Sequence, residues 1–387
     1  MTKRWILIDS ATGEYTETLS VTSADLATID SWSVRKERLR GGRRDGVDTV
    51  RIDNGRIRFT VVPTRGMGLW KAWCGDLEIG WQSPVAGPVH PSMVPLFEPS
   101  GIGWLSGFDE LIARCGLESN GAPQFAEDGT LQYPLHGRIQ NIPAHRVELE
   151  VDPDAGELRL NGVVDEARLF GNSLRLHSTY RTGFGESSIH VIDRVENLSA
   201  TPKDFELMYH INFGLPLVTP GAKVVLPVQR MSPRNADAAD PARYATWNVY
   251  ESPTPGIPEA CYLCELAADT DGHTAVLLQD RDGARGVRLK FSKGQFPCFT
   301  LWKNPIPESD GYVTGLEPAT NFPNTRDFEK SHGRVVTLAP GQSRIFEIEM
   351  EFLTDTAAVT EARNAVESLG RTVSPEFLTI PDSEWAS

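Results

Sequence analysis

Three segments of the chain alternate proton-exchanging side chains with apolar ones. In Phe205-Glu-Leu-Met-Tyr-His-Ile-Asn-Phe-Gly214, a period of two puts Phe205, Leu207, Tyr209, Ile211 and Phe213 on one face and Glu206, Met208, His210 and Asn212 on the other. The first face is a core stripe, so His210 and Asn212 project together, into solvent or into a polar cleft. Glu317 lies at the end of Tyr312-Val-Thr-Gly-Leu-Glu-Pro318, just before a proline that cannot donate to a ladder, and is expected at a strand end and a rim. In Leu135-His-Gly-Arg138, strand alternation would set His136 and Arg138 on one face, with Gly137 allowing close backbone approach. A surface salt-bridging pair is the alternative there. Singly, each residue reads more readily as solvated or structural than as catalytic. Together, two imidazoles, an arginine and a carboxylate are the parts needed to give and remove protons around a polyhydroxylated ring.

Other chemistries lose their usual signals. There is no Gly-x-Ser-x-Gly elbow, no Walker phosphate loop and no dinucleotide fingerprint after a strand. Cys261-Tyr-Leu-Cys264 has no second pair to complete a structural zinc site, and the remaining histidines lack ligand spacing, so no metal is expected. Basic residues number 38 against 52 acidic ones, a formal charge of -14, which disfavours nucleic acid and anionic membrane surfaces and gives no encouragement to highly anionic ligands. Five cysteines, odd in number and set among apolar residues, suit reduced thiols, and the amino terminus lacks a secretory pattern, so a cytoplasmic location is expected. No stretch approaches the ~20 apolar residues of a membrane helix.

The elements that must position these residues are strands. Alternation marks strands over 56–61, 145–151, 173–180, 188–195, 206–213, 275–279, 286–291, 298–302, 312–316, 334–338 and 343–352, punctuated by turns such as Asp53-Asn-Gly and Pro340-Gly. Helical spacing is convincing only over 355–370, where Val359, Ala362, Val366 and Leu369 share a stripe and Gly370 can serve as a left-handed stop. So few helices cannot cover parallel strands on both faces. An all-β antiparallel sandwich is therefore expected, one domain over residues 1–387 with roughly the first 50 as an extension. Between Gly80 and Tyr133, prolines, glycines and the aromatics Trp81, Trp104 and Phe108 crowd together, reading as a long ordered functional loop.

Several ordered blocks resemble the galactose mutarotase-like (aldose 1-epimerase-like) superfamily, particularly its DUF4432 branch: Arg65-Gly-Met-Gly, Gly80-Trp-Gln-Ser-Pro84, Gly103-Trp-Leu-Ser-Gly-Phe108, Arg114-Cys-Gly-Leu117, Tyr133-Pro-Leu-His-Gly-Arg138, Tyr209-His-Ile-Asn-Phe-Gly214 and Gly315-Leu-Glu-Pro318. The resemblance implies a large antiparallel β-supersandwich and a cofactor-independent enzyme that interconverts sugar anomers by opening the ring. It implies Glu317 as general base, His210 as general acid and His136 as the histidine holding the sugar near its ring oxygen. Arg138, Asn212, Arg65, Trp104 and Asn120 would contact the substrate, and Glu259 or Lys303 would fill the place of an aspartate found in the familiar members. A sugar isomerase or β-eliminating lyase on the same fold, or a non-catalytic carbohydrate binder stacking sugars on Trp81, Trp104 and Trp302, are the alternatives. A small sugar is the expected partner, and the oligomeric state stays open, a homodimer among the expectations.

Overall fold

A computed structural model describes residues 1–386. Two large sheets face each other, one of ten strands and one of fourteen, with hydrogen-bonded neighbours antiparallel except for a short pairing of Arg230–Met231 with Glu376–Phe377. Each strand expected from alternation is present, and their inward residues build one extended core. Strand 188–197, for example, buries Ile189, Val191 and Val195 in the same core as Phe205, Tyr209 and Ile211 of the opposite sheet. The family-type supersandwich is thus the observed architecture.

Residues 1–50 supply strands to both sheets: Lys3–Asp9 pairs with Arg146–Asp152 in the ten-stranded sheet, and Ser33–Arg38 pairs with Asp48–Asp53 in the other. The C-terminal helix spans Thr356–Gly370, capped by the Asp355 carboxylate accepting from the Ala358 amide at 2.9 Å, and buries Val359, Ala362 and Val366. Its end departs from expectation. Arg371 follows in the right-handed region, φ -71° and ψ -13°, so Gly370 is not a left-handed stop. No helix is long and apolar enough to cross a membrane among the described residues, and all five cysteines are free and buried.

The fourteen-stranded sheet has apolar residues on both sides. One side joins the main core; the other carries a second cluster of Trp81, Trp104, Phe108, Ala113, Cys115, Met208, Val313 and Ala319. This second cover comes from the 80–133 segment, which is not all loop: Ile112–Leu117 is a fully buried strand paired with Lys203–Phe213. Covered on both faces, it shows no polar alternation, which is why periodicity missed it.

Candidate active site

The two sides of Lys203–Phe213 separate as its pattern requires. Phe205, Leu207, Tyr209, Ile211 and Phe213 enter the main core, while His210 lies against the rings of the second cluster. The neighbouring strand Val313–Ala319 pairs Ala319 with Met208 and Leu316 with Ile211, a register that sets Glu317 opposite His210. The intervening ladder is interrupted at Pro318, which has no N–H to give. Glu317 therefore sits inside a strand, 2% exposed, and not at a rim: the strand continues past the proline because its other neighbour pairs Pro318 with Phe299. Its Oε1 is 3.2 Å from His210 Nε2.

Asn212 settles which His210 nitrogen carries hydrogen. Its Nδ2 donates to the carbonyls of Glu110 at 3.0 Å and His210 at 2.9 Å, so its Oδ1 must be the atom facing His210 Nδ1 at 2.5 Å. An oxygen can only accept, so Nδ1 holds a proton and Nε2 of the neutral ring offers its lone pair to Glu317. His136 is fixed the same way, with Nδ1 donating to the Asn120 carbonyl at 2.9 Å. Its backbone takes φ +59°, a left-handed conformation uncommon outside glycine, held by its amide on Gly121 O and its carbonyl accepting from Gly116 N. The His136 and His210 ring centroids are 5.3 Å apart. Trp104 packs edge-on to His136 at 4.7 Å, and Trp302 edge-on to His210 at 5.2 Å.

Burial sets the protonation of the pair. Desolvation pushes Glu317 well above the usual carboxylate value, and a distant Glu259 adds to this while Arg234 opposes it. Desolvation pulls His210 well below the ordinary histidine value, with His136 reinforcing it. His136, partly exposed but crowded by its neighbours, is lowered to about 4. The resting pair is then neutral, a protonated Glu317 facing the Nε2 lone pair of His210. The two stand at 3.2 Å without a hydrogen bond between them, Glu317 Oε1 having no partner, so each is free to give or take a proton on a molecule placed against them, as reversible acid–base chemistry requires.

The other expected residues divide. Glu259 is exposed at the entry, where its Oε2 accepts from Trp302 Nε1 at 2.7 Å. Trp104 and Asn120 serve as walls, since both are fully buried; the Asn120 side chain exchanges hydrogen bonds with Asn321 and its carbonyl orients His136. Asn212 likewise orients His210 and is itself closed to solvent. Arg65 is not at the cleft: its guanidinium is held on Glu110 Oε1 at 2.7 Å, the Gly107 carbonyl at 2.9 Å and Asn141, and its side chain is wholly closed to solvent. Arg138 does not share a face with His136, because left-handed His136 and Gly137 (φ +69°) form a turn, not a strand. Its guanidinium points to Glu118 and Glu166 at 3.4 and 3.5 Å. Lys303 follows Trp302 in a strand, so it faces away from His210 and is buried on Glu251 Oε2 at 2.6 Å and Val249 O at 2.8 Å.

Three contributors escaped the sequence. Thr300 pairs directly with Glu317 and is fully buried with no partner for its hydroxyl. A Cβ on Gly315 would lie 2.3 Å from Glu317 Oε1, so glycine makes the room in which that carboxyl rests. Arg234, half-buried after strand Val228–Pro233, stands within electrostatic reach of both Glu317 and His136. Nothing in an irregular Pro-Arg-Asn run marks it. The partly exposed members, His136, Arg234 and Trp302, border the entry. A recess of about 740 Å³ lies elsewhere, on the outer face of the ten-stranded sheet, where Lys290 is already paired with Glu349. Among the described residues no group of three or more His, Cys, Asp or Glu is disposed to hold a metal.

The model of the family described as a domain of unknown function, DUF4432, matches residues 44–352. A Klebsiella pneumoniae structure provisionally assigned as an aldose 1-epimerase superposes with a TM-score of 0.95 at 31% identity, covering 99% of this chain and 100% of that one. A galactose mutarotase-like protein from Clostridium acetobutylicum (TM-score 0.57, 15% identity, 84% of this chain and 99% of that one) shares the fold. So does a galactose mutarotase related enzyme from Lactobacillus acidophilus (TM-score 0.54, 15% identity, 79% and 97%). No curated protein matches the chain.

Proposed function

The chain belongs to the DUF4432 family, and from that premise we propose that it is an aldose 1-epimerase-like enzyme interconverting the anomers of a monosaccharide by acid–base ring opening. The observation that carries this reading is the Glu317 Oε1 to His210 Nε2 approach of 3.2 Å among the buried rings of the second cluster. When sugar enters, the Glu317 proton passes to His210 Nε2 and leaves Glu317 as carboxylate. Glu317 takes the proton of the anomeric hydroxyl, His210 gives its proton to the ring oxygen, and the bond between that oxygen and the anomeric carbon breaks. Rotation about the first carbon–carbon bond and reclosure with the proton roles reversed yield the other anomer, with the proton count unchanged. The neutral pair favoured at rest is the state that coexists with the open-chain aldehyde. Because His136 Nδ1 is committed to Asn120, its Nε2 accepts from a sugar hydroxyl and does not donate to the ring oxygen.

The test is exchange NMR on freshly dissolved single anomers across a sugar panel. Interconversion above the buffer rate, with no deuterium entering carbon from heavy water, is expected. Rates equal to the blank for every sugar would reject the reading, and carbon-bound deuterium would indicate isomerisation instead.

Two further results follow. The one-proton pair should persist over a wide pH range: a second proton adds only well below the ordinary histidine value of 6.5, and the last one leaves only well above the ordinary glutamate value of 4.5. The rate profile should show a broad plateau; a narrow bell centred near about 5.5, midway between unperturbed values, would contradict the neutral pair. Gly315→Ala should keep the fold but displace the Glu317 carboxyl, lowering kcat by about 100-fold with a small change in KM.

A further inference from the structure

The chain has more acids than bases, 52 against 38, and many of its half-buried arginines are paired, Arg138 with Glu118, Arg175 with Asp165, Arg288 with Glu351 and Arg334 with Glu329, while Arg344 and Arg363 rest on the Gly294 carbonyl and the Gln279 side chain on the outside of the ten-stranded sheet. Arg234 also has no carboxylate in an ion pair with it among the described residues, but it lies within electrostatic reach of Glu317 and His136; of the five N–H groups a guanidinium carries, Nη2 donates to the Pro323 carbonyl at 3.1 Å, and the guanidinium also reaches the Cys261 thiol.

Its placement is fixed on both sides. The Arg234 amide donates to Cys261 O at 2.9 Å, and Cys261 pairs with Trp302, whose ring lies against His210. Pro323, which holds the guanidinium, also accepts from the Ala122 amide, adjoining the Gly121 carbonyl that holds the backbone of His136. Arg234 is thereby attached to the two walls that carry the two imidazoles. Around the two catalytic candidates, Trp104, packed on His136, and Thr300, opposite Glu317, bring Nε1 and Oγ1 as fully buried polar atoms without partners. Orphaned donors of this kind are rare in folded proteins and mark places where something else supplies the acceptor.

We propose that Arg234 anchors an anionic group on the sugar and that the substrate class is a monosaccharide bearing one negative charge, a uronic acid's carboxylate being the group that best matches the guanidinium fork. This rests on the mutarotase-like reading and adds the charge of the substrate to it. A single arginine balances a monoanion. A phosphate dianion would leave one charge uncompensated beside Glu259 at the entry and the carboxylate that forms on Glu317. The net charge of -14 belongs to the whole surface and does not decide the sign at this point, where the unpaired cation is closest.

The experiment compares glucuronate and galacturonate with glucose, galactose, a 6-sulfonated hexose and glucose 6-phosphate in the anomer-exchange assay. Parallel calorimetry uses Glu317→Gln, which keeps the cleft while blocking turnover. Wild type should prefer the uronates over the matching neutral hexoses by 10-fold or more in kcat/KM. Arg234→Met should collapse that ratio by about 10- to 100-fold, the loss expected for a hydrogen bond to a charged group, and Arg234→Lys should restore part of it. A sulfonate preferred to the carboxylate keeps the anion anchor and changes the group; a preference for phosphate overturns the monoanion claim. Neutral hexoses turned over as well as uronates, with a ratio unmoved by Arg234→Met, would overturn the anchor while leaving mutarotation intact. Uronate binding that depends on Arg234 without turnover of any sugar would uphold the anchor and reject the catalytic reading.

Discussion

Glu317→Gln is expected to abolish most anomer interconversion, lowering kcat/KM by about 10²- to 10⁴-fold, the range that positioned acid–base groups contribute. The amide keeps the shape of the carboxyl and can donate to His210 Nε2 across the same 3.2 Å gap, so the site should stay assembled. What it cannot do is take a proton and return it. His210→Asn should fall comparably, and the double variant should be little worse than either single one, because the two groups exchange one proton as a unit. Stability separates this from unfolding. Burial holds the Glu317 pKa above its unfolded value, so its contribution to stability is fully present below the unfolded value, near 4.5, and declines as pH rises toward the folded one. Gln carries no such pH-dependent loss. The Glu317→Gln melting temperature should therefore match or exceed wild type at neutral pH, with the difference growing as pH is raised above 4.5. Near-wild-type turnover in this variant would remove Glu317 from the mechanism.

The same physical rule explains what the sequence disclosed and what it concealed. Strands with one face on the core and one toward water show alternation, so 145–151, 173–180 and 188–195 are legible. Ile112–Leu117 and Ala260–Leu266, which lie between two apolar layers, show none. Both flank the strands that carry the site, so the most functional part of the sheet was the hardest to read. His210 was readable because its strand has an unmistakable core stripe and an imidazole out of phase with it. Its partnership with Glu317 came from the family resemblance and not from the pattern, since the two are distant in sequence and joined only by sheet register. Arg138 and Lys303 misled for one reason: residue type was taken with a neighbour's location. A turn at His136–Gly137 reverses the first, and strand alternation reverses the second. Arg65 misled differently, because a buried arginine saturated by Glu110 looks in sequence like any arginine near a cleft.

Arg114→Met should destabilise the fold by about 3–5 kcal/mol without altering any group that touches sugar. Arg114 comes from the fourteen-stranded sheet and Asp193 from the ten-stranded one; both side chains are fully buried and meet through Nε to Oδ2 at 2.5 Å and Nη2 to Oδ1 at 3.0 Å. The remaining donors reach Met67 O at 2.6 Å, Tyr180 Oη at 3.2 Å and Ser178 Oγ at 2.8 Å, and Tyr209 Oη donates to Asp193 Oδ2 at 2.6 Å. A charge pair this complete joins the two layers at the centre of the sandwich. Asp193 also occupies the apolar phase of Ile189, Val191 and Val195, a signal of a buried partner that alternation alone could have raised. Methionine in place of Arg114 leaves that carboxylate buried with only the Tyr209 hydroxyl, and the cost comes from the abandoned charge more than from the lost contact. Arg114→Met with Asp193→Leu should therefore recover much of the loss, since replacing both partners by apolar groups removes the stranded charge. Urea unfolding followed by tryptophan fluorescence measures both variants. A single variant within about 1 kcal/mol of wild type, or a double variant less stable than the single, would show that the pair does not hold the sheets together.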